Sequence, residues 1–277
     1  MPTTRAAAVL VLALSAALLV AGASAGAAAP AQLRILLFTK TAAFRHDSIP
    51  TAIQTIRELG AGVGIEVDAT EDAGAFSDDG LRRYDVVVFL LTTGDVLDDG
   101  EQAAFQRYIR SGGGFVGVHS ASDTEHDWPW YGGLVGAYFR AHPAIQPATV
   151  VVSDPRDAST RGLPQRWQRT DEWYGFATNP RAWVNVLATI DETSYAAGDS
   201  SMGSDHPSAW SHLYDGGRAW YTGGGHTQES YAEPLFRAHV LGGILWAAGP
   251  PSVGSLRTVT HGGRLVVAGT TARCVRC

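Results

Sequence analysis

Cysteine is almost absent from this chain of 277 residues: Cys274 and Cys277 are the only two, so the body has neither a disulfide framework nor a thiol nucleophile. Their C-x-x-C spacing lacks the two further ligands of a structural zinc site, and at most a small local disulfide is expected from them in an oxidising compartment. Charge is scarce as well, at 17% of residues, with 21 basic against 27 acidic side chains and a net charge of −6. A negative chain without basic runs excludes a nucleic-acid footprint and a basic membrane-surface patch. No internal repeat recurs at a fixed period. Long apolar runs are also missing, save one. Residues 6–23 form an uncharged stretch after the lone Arg5, and Ala23-Ser24-Ala25 fits an A-x-A cleavage pattern. A secretory signal within 1–29 is expected, with a second cleavage option at 27–29 and no Cys behind it to carry a lipid. The mature protein is then extracytoplasmic and free of the membrane, whereas an uncleaved run of ~18 apolar residues would serve as an anchor.

What is present suits a folded core, since 45% of residues are hydrophobic and 9% aromatic. One domain over 30–250 and a tail over 251–277 are expected. A short apolar run at 34–39 reads as a strand, and Ser48-Ile49-Pro50 opens a helix that Gly60 should stop. Strands follow at 65–69, 85–91 and 115–118. A helical turn at Ser77-Asp78-Asp79 and a helix from the capping box Asp98/Glu101 to Arg110 separate them. Such alternation predicts an α/β fold, a doubly wound and mostly parallel sheet flanked by helices. Farther on, strands are expected at 149–154 and 184–190, then a hairpin across Asp215-Gly216-Gly217 and a helix over 229–248. A small hairpin around Gly262-Gly263 is expected in the tail.

Open α/β sheets bind ligands beyond the carboxyl ends of their strands. The loops there hold His46, His119 and His226, which are expected to meet on one edge. Gly112, Gly114 and Gly117 spell G-x-G-x-x-G, but they precede a strand instead of opening a helix, which argues against NAD. Gly117-Val118-His119-Ser120-Ala121 has the form of a nucleophile elbow with His119 in the nucleophile's slot and Ser120 one place late. Asp171 and Glu172 are adjacent, so an extended segment points one of them inward, and Glu172 is chosen. Asp123 either pairs with His119 or caps the next turn, and Asp47 has the same ambiguity. His46, His119, His142 and His226, with Glu172, match a zinc-like divalent metal in ligand type, although their spacing is no recognised signature. Trp128, Trp130, Tyr131, Trp173, Tyr174 and Trp210 suit sugar stacking, although core packing is the commoner role for each ring. His206 and His212 flank Trp210 as hydrogen-bonders, while His126, His239 and His261 receive no role.

Six motifs, FRHDSI (44–49), GGGFVGVHSASDT (112–124), WPWYGGLVGAYFRAHP (128–143), DEWYGF (171–176), HPSAWSH (206–212) and AWYTGGGH (219–226), together resemble the ThuA-like proteins, named for trehalose utilisation. The resemblance spans about 34–249 and implies a flavodoxin-like sheet of the class I glutamine amidotransferase-like superfamily. His119 stands where that superfamily has its nucleophilic Cys, so thiol-dependent glutamine hydrolysis is lost. It also implies a role in carbohydrate metabolism, on glycosides or 3-keto-glycosides, by elimination or hydrolysis in a His-rich pocket. On this reading His46, His119, Asp123, Glu172 and His226 are the catalytic candidates. Asp47, Trp128, His142, Trp173, Tyr174, His206, Trp210 and His212 are the candidates for holding a small carbohydrate. A non-catalytic carbohydrate-binding module and a structural module are the rival classes.

Overall fold

The computed structural model describes residues 32–250 and the backbone of two further strands. The signal expected in 1–29 and the Cys274/Cys277 pair lie outside the described residues. The chain opens with β1 (Arg34–Phe38), α1 (Ile49–Val63), β2 (Glu66–Thr70), α2 (Asp78–Leu81), β3 (Val86–Leu90), α3 (Asp99–Arg110) and β4 (Gly114–Val118). After α4 (Pro129–Val135) come β5 (Phe139–Ala141), β6 (Gln146–Val152), β7 (Arg166–Asp171), β8 (Gly175–Phe176) and β9 (Asn185–Asp191). The hairpin of β10 (Pro207–Tyr214) and β11 (Gly217–Thr222) leads into α5 (Gln228–Ala232) and α6 (Pro234–Ala248), and β12 (Arg257–His261) pairs with β13 (Arg264–Ala268) in the tail. Among the described residues no helix is long and apolar enough to cross a membrane.

One nine-stranded sheet runs in the order β2-β1-β3-β4-β11-β10-β9-β6-β7. The first five are parallel neighbours, which is the doubly wound α/β unit read from the alternating sequence. The remaining pairings are antiparallel and extend the sheet beyond that unit. Every residue of β3 and β4 is buried, because helices cover both faces. Alternate side chains divide between two cores. Ile35, Leu37, Val86 and Val88 pack with Ile49 and Ile56 of α1 and Val240 and Ile244 of α6. Leu36, Phe38, Val87 and Phe89 pack with Phe105 of α3 and Tyr131 and Leu134 of α4.

Two boundaries and one cap differ from expectation, each for a local reason. Helix α1 runs past Gly60 to Val63 and stops at Gly64, whose φ of 77° is the left-handed conformation that ends a helix. The last helix is split, since Pro234 has no N–H to continue α5 and instead starts α6. Ser48 does precede α1, but its side chain makes no cap; the hydroxyl donates to the His226 carbonyl at 2.7 Å. The Asp98/Glu101 capping box of α3 forms in both directions.

Candidate functional site

Parallel strands place their carboxyl ends on one edge, and there the loops are stitched together. Ala42 N–H donates to Thr93 O at 2.7 Å, and Gly94 N–H to Asp123 O at 2.9 Å, joining the loops after β1, β3 and β4. Thr93 Oγ1 donates to Phe44 O at 2.7 Å, and Glu125, a brace unmarked by any motif, accepts from the Val96 and Leu97 amides at 2.8 and 2.9 Å. His46, His119 and His226 are thus carried on loops of fixed mutual position.

The rings meet. His46 lies 5.0 Å from His119 and 4.9 Å from His226 between centroids, and His119 lies 5.2 Å from His226. His119 has φ of 53°, the left-handed backbone of a sharp elbow, and the Tyr221 hydroxyl holds its carbonyl at 2.8 Å. Its Nδ1 donates to Gly223 O at 2.8 Å, because a carbonyl can only accept, so Nε2 faces the other rings. That Nε2 is 3.4 Å from Glu172 Oε2 and 3.3 Å from His226 Nδ1, and His226 Nδ1 is 3.1 Å from the same carboxylate oxygen. The other oxygen, Oε1, meets His142 Nδ1 at 2.9 Å.

Burial and charge set the protonation. Burial drives the Glu172 carboxyl upward, yet its contacts with the His119 and His226 imidazoles overcome it and hold the group well below the usual carboxylate range. Burial likewise acts to lower His226, but the Glu172 carboxylate outweighs it and raises the imidazole above its ordinary value. His46 is pushed down to about 3, first by burial and then by the neighbouring rings, and stays neutral.

Beneath these groups sits a polar lock that the motifs did not disclose. Asp171 Oδ2 accepts from the Gly225 amide at 2.7 Å and Oδ1 from the His226 amide at 3.1 Å, while Arg169 Nη1 donates to Oδ2 at 2.8 Å. Arg169 also reaches Glu233 at 3.0 Å and Ser230 at 2.8 Å. Burial opposes ionisation of Asp171, but the Arg169 guanidinium and the backbone amides hold its carboxyl below the usual aspartate range. Adjacent Asp171 and Glu172 do point opposite ways: one builds the frame, the other enters the cluster. Gly225 has φ of 113°, and a Cβ there would fall 2.9 Å from the Tyr231 hydroxyl, which is why this loop is glycine-rich.

A cavity of about 310 Å³ opens above the cluster. His46, Glu172 and His226 form part of its wall with Asp123, His142 and Thr93, and the rings of Phe44, Phe139 and Tyr174 complete it. Phe44 is 63% exposed at the mouth; it and Phe139 escaped the sequence reading, although each lies in a motif beside a histidine. His119 is fully buried behind Glu172 and Tyr174, with the Tyr174 ring 4.0 Å from its own, so it supports the wall without reaching the cavity.

Several expected residues stand elsewhere. Asp123 lines the cavity but pairs with His126 Nε2 at 2.9 Å instead of with His119. His142 is half-exposed and touches Glu172 from outside, so Glu172 joins His46, His119 and His226 where His142 was expected as a ligand. Asp47 is exposed and accepts from Gln228 at 3.3 Å. Trp210 is wholly buried, its N–H donating to Val135 O at 2.8 Å, and Trp173 is buried with its N–H on Gln146 O at 2.8 Å. Trp128 stacks on Trp130 and Tyr131 in the core around α4. His206 is buried between Tyr174 O at 2.8 Å and Glu192 at 2.7 Å, and His212 bonds Gly133 O at 3.0 Å near the hairpin turn. Trp128, Trp173, Trp210, His206 and His212 line no part of the cavity and serve packing and local hydrogen bonding instead. Ser120, fully buried, has no hydrogen-bond partner and hence no base beside it.

Solved structures share this architecture. A ThuA-like protein from Bacteroides uniformis is similar at a TM-score of 0.69 with 24% identity, over 80% of this chain and 93% of that one. One from Parabacteroides merdae is similar at 0.66 with 19% identity, over 79% and 90%. A β-galactosidase from Rahnella sp. R3 shares the fold at 0.50 with 14% identity, over 78% of this chain but 31% of its own. Curated protein sequences yield no match. The profile of the ThuA family, described as trehalose utilisation, matches residues 34–247, and by that match the chain belongs to the ThuA family.

Proposed function

We propose that this protein is an extracytoplasmic enzyme of carbohydrate metabolism that cleaves keto-bearing glycosides by elimination in the cavity beneath Phe44. The observation that carries the reading is the convergence of Glu172 and His226 on the wall of a cavity flanked by aromatic rings. Its volume of about 310 Å³ suits one sugar unit, and Phe44, Phe139 and Tyr174 offer faces for its C–H groups. The family description agrees with a sugar ligand. The leading run at 6–23 is the support for export.

A 3-keto group acidifies the C2 proton. A base removes it, the electrons form an enolate at O3, and the enolate re-forms the ketone as a C1=C2 bond develops and the C1–O bond breaks. The departing oxygen takes a proton, giving the free alcohol and a 2-hydroxy-3-keto-glycal. Asp123 is assigned as base, because it lines the cavity and its partner is only the exposed His126. Glu172 is a weaker base, since His119, His226 and His142 all draw on its oxygens. His226, whose imidazole the Glu172 carboxylate raises above its ordinary value, donates to the enolate oxygen, and half-exposed His142 supplies the proton for the leaving group.

Incubating the protein with matched glycosides and 3-keto-glycosides, followed by proton NMR, tests this. Aglycone release from the keto forms alone is expected, with Asp123→Asn slowing it about 10²–10⁴-fold. Equal release from the unoxidised glycosides refutes the keto requirement, and binding without release returns the protein to the class of carbohydrate-binding modules.

A further inference from the structure

We propose that His46, His119, His226 and Glu172 form a binding centre for one divalent transition-type cation, zinc being the best chemical match, at the floor of the cavity. The inference deepens the reading above by giving that cavity a resident electrophile, and its geometric grounds are separate. One donor atom from each of the four residues lies within 4.8 Å of all the others. Three of these atoms form a near-equilateral triangle. His119 Nε2, His226 Nδ1 and Glu172 Oε2 are separated by 3.3, 3.4 and 3.1 Å. Tetrahedral zinc with bonds of 2.0–2.1 Å requires ligand edges of about 3.3–3.4 Å. Three imidazoles and a carboxylate are also the borderline donors that zinc and its neighbours favour over magnesium or calcium.

Two further features point to a cation. His46 is 4% exposed, and its Nδ1 is buried with no hydrogen-bond partner. Buried polar atoms are nearly always satisfied, so this one lacks the group that would complete it. The outer contacts are also those of a ligand set. His119 Nδ1 donates to Gly223 O at 2.8 Å, and His142 Nδ1 meets Glu172 Oε1 at 2.9 Å, leaving Nε2 and Oε2 to face inward. Ligating imidazoles and carboxylates characteristically have their remaining atoms tied in this way. His46, Glu172 and His226 line the cavity, so a cation held among them is within reach of a carbonyl oxygen and its neighbouring hydroxyl on a keto-sugar.

The test measures metal directly. Protein purified without chelator is analysed for metal content; apo-protein is then titrated with zinc and with cobalt, followed by calorimetry, melting temperature and visible absorption. One equivalent per chain is expected, with a rise in melting temperature and the intense visible bands of four-coordinate cobalt. Glu172→Gln and His226→Gln should each weaken zinc binding by at least 100-fold, and His142→Ala by about 10–100-fold with the stoichiometry kept. The wild-type titration keeps the test open should a variant fail to fold. Failure of the apo-protein to take up zinc or cobalt, or unchanged affinity in folded Glu172→Gln, overturns the centre. Zinc uptake without turnover of any keto-glycoside upholds the centre and removes the sugar reading alone. Full turnover by protein stripped of metal upholds the sugar reading and overturns the cation's part as its electrophile.

Discussion

The two halves of the sheet solve different problems. In the parallel half, β3 and β4 are buried throughout, and their residues serve packing on both faces. In the antiparallel half, β7 alternates exposed and buried along its whole length, so each inward side chain can be chosen singly. The parallel half delivers the three imidazoles on loops at its carboxyl edge, whereas the carboxylate arrives from the residue just after β7. Scaffold and adjustable part are therefore separate, and the cluster exists only where they join. Asp171 and Arg169 make that join by tying β7 to the Gly225–His226 backbone.

The largest effect should come from cutting this join. Asp171→Ala leaves the Gly225 and His226 amides without their acceptor and the buried Arg169 guanidinium with Glu233 as its one remaining carboxylate, and a loss of about 3 kcal/mol in urea unfolding is expected. A loss below about 1 kcal/mol would show that the halves are held together by something else. Next comes acid. His239 of α6 bonds Ser159 O before β7 and Thr222 Oγ1 at the end of β11, and its pKa is pushed down to about 4, chiefly by burial. The unfolded imidazole binds its proton at about 6.5, so this contribution is complete above that pH and lost as pH falls toward 4. The slope is about 1.4 kcal/mol per pH unit. Folded His239→Gln should show a flatter fall than wild type between pH 6 and 4; identical curves would remove His239 from the account.

Inside the parallel half, single local features should matter less. Asp98→Ala removes the α3 capping box at about 1 kcal/mol, with no change at the cluster; altered chemistry there would mean that the halves are not separable. The smallest stability effect belongs to Phe44→Ala, expected within about 0.5 kcal/mol because the ring is exposed. Its effect should appear in the KM for sugar, and an unchanged KM would remove Phe44 from the binding surface.

The parallel half was legible because its signals are redundant. Runs such as 85–91, with Asp98/Glu101 behind them, leave little choice of element or order, and strand order places His46, His119 and His226 on one edge. The antiparallel half was read less well. Trp173, Trp210 and His206 sit in dense motifs, but a motif does not distinguish a ring facing a cavity from one facing a core. Asp171 and Glu172 could be assigned opposite directions from alternation alone, whereas Arg169, two residues earlier on the same face, bears no mark until its partners Ser230 and Glu233 are folded against it. Gly60 misled for a related reason: its lack of a side chain serves close approach to Val67 and Ile65, while the helix ends at Gly64. Ser48 carried a capping signal, but tertiary structure uses its hydroxyl to hold the His226 carbonyl.

The bond from His119 Nδ1 to the Gly223 carbonyl couples ring orientation to how two strands are aligned. Gly223 directly follows Thr222, which pairs with Val118, the residue before His119. A slip of β11 by one position would shift that carbonyl by about 3.3 Å and let the imidazole rotate. The tilt of a single side chain is thus a gauge of strand alignment, and a mispaired hairpin would announce itself as altered chemistry even in a molecule that still melts cooperatively.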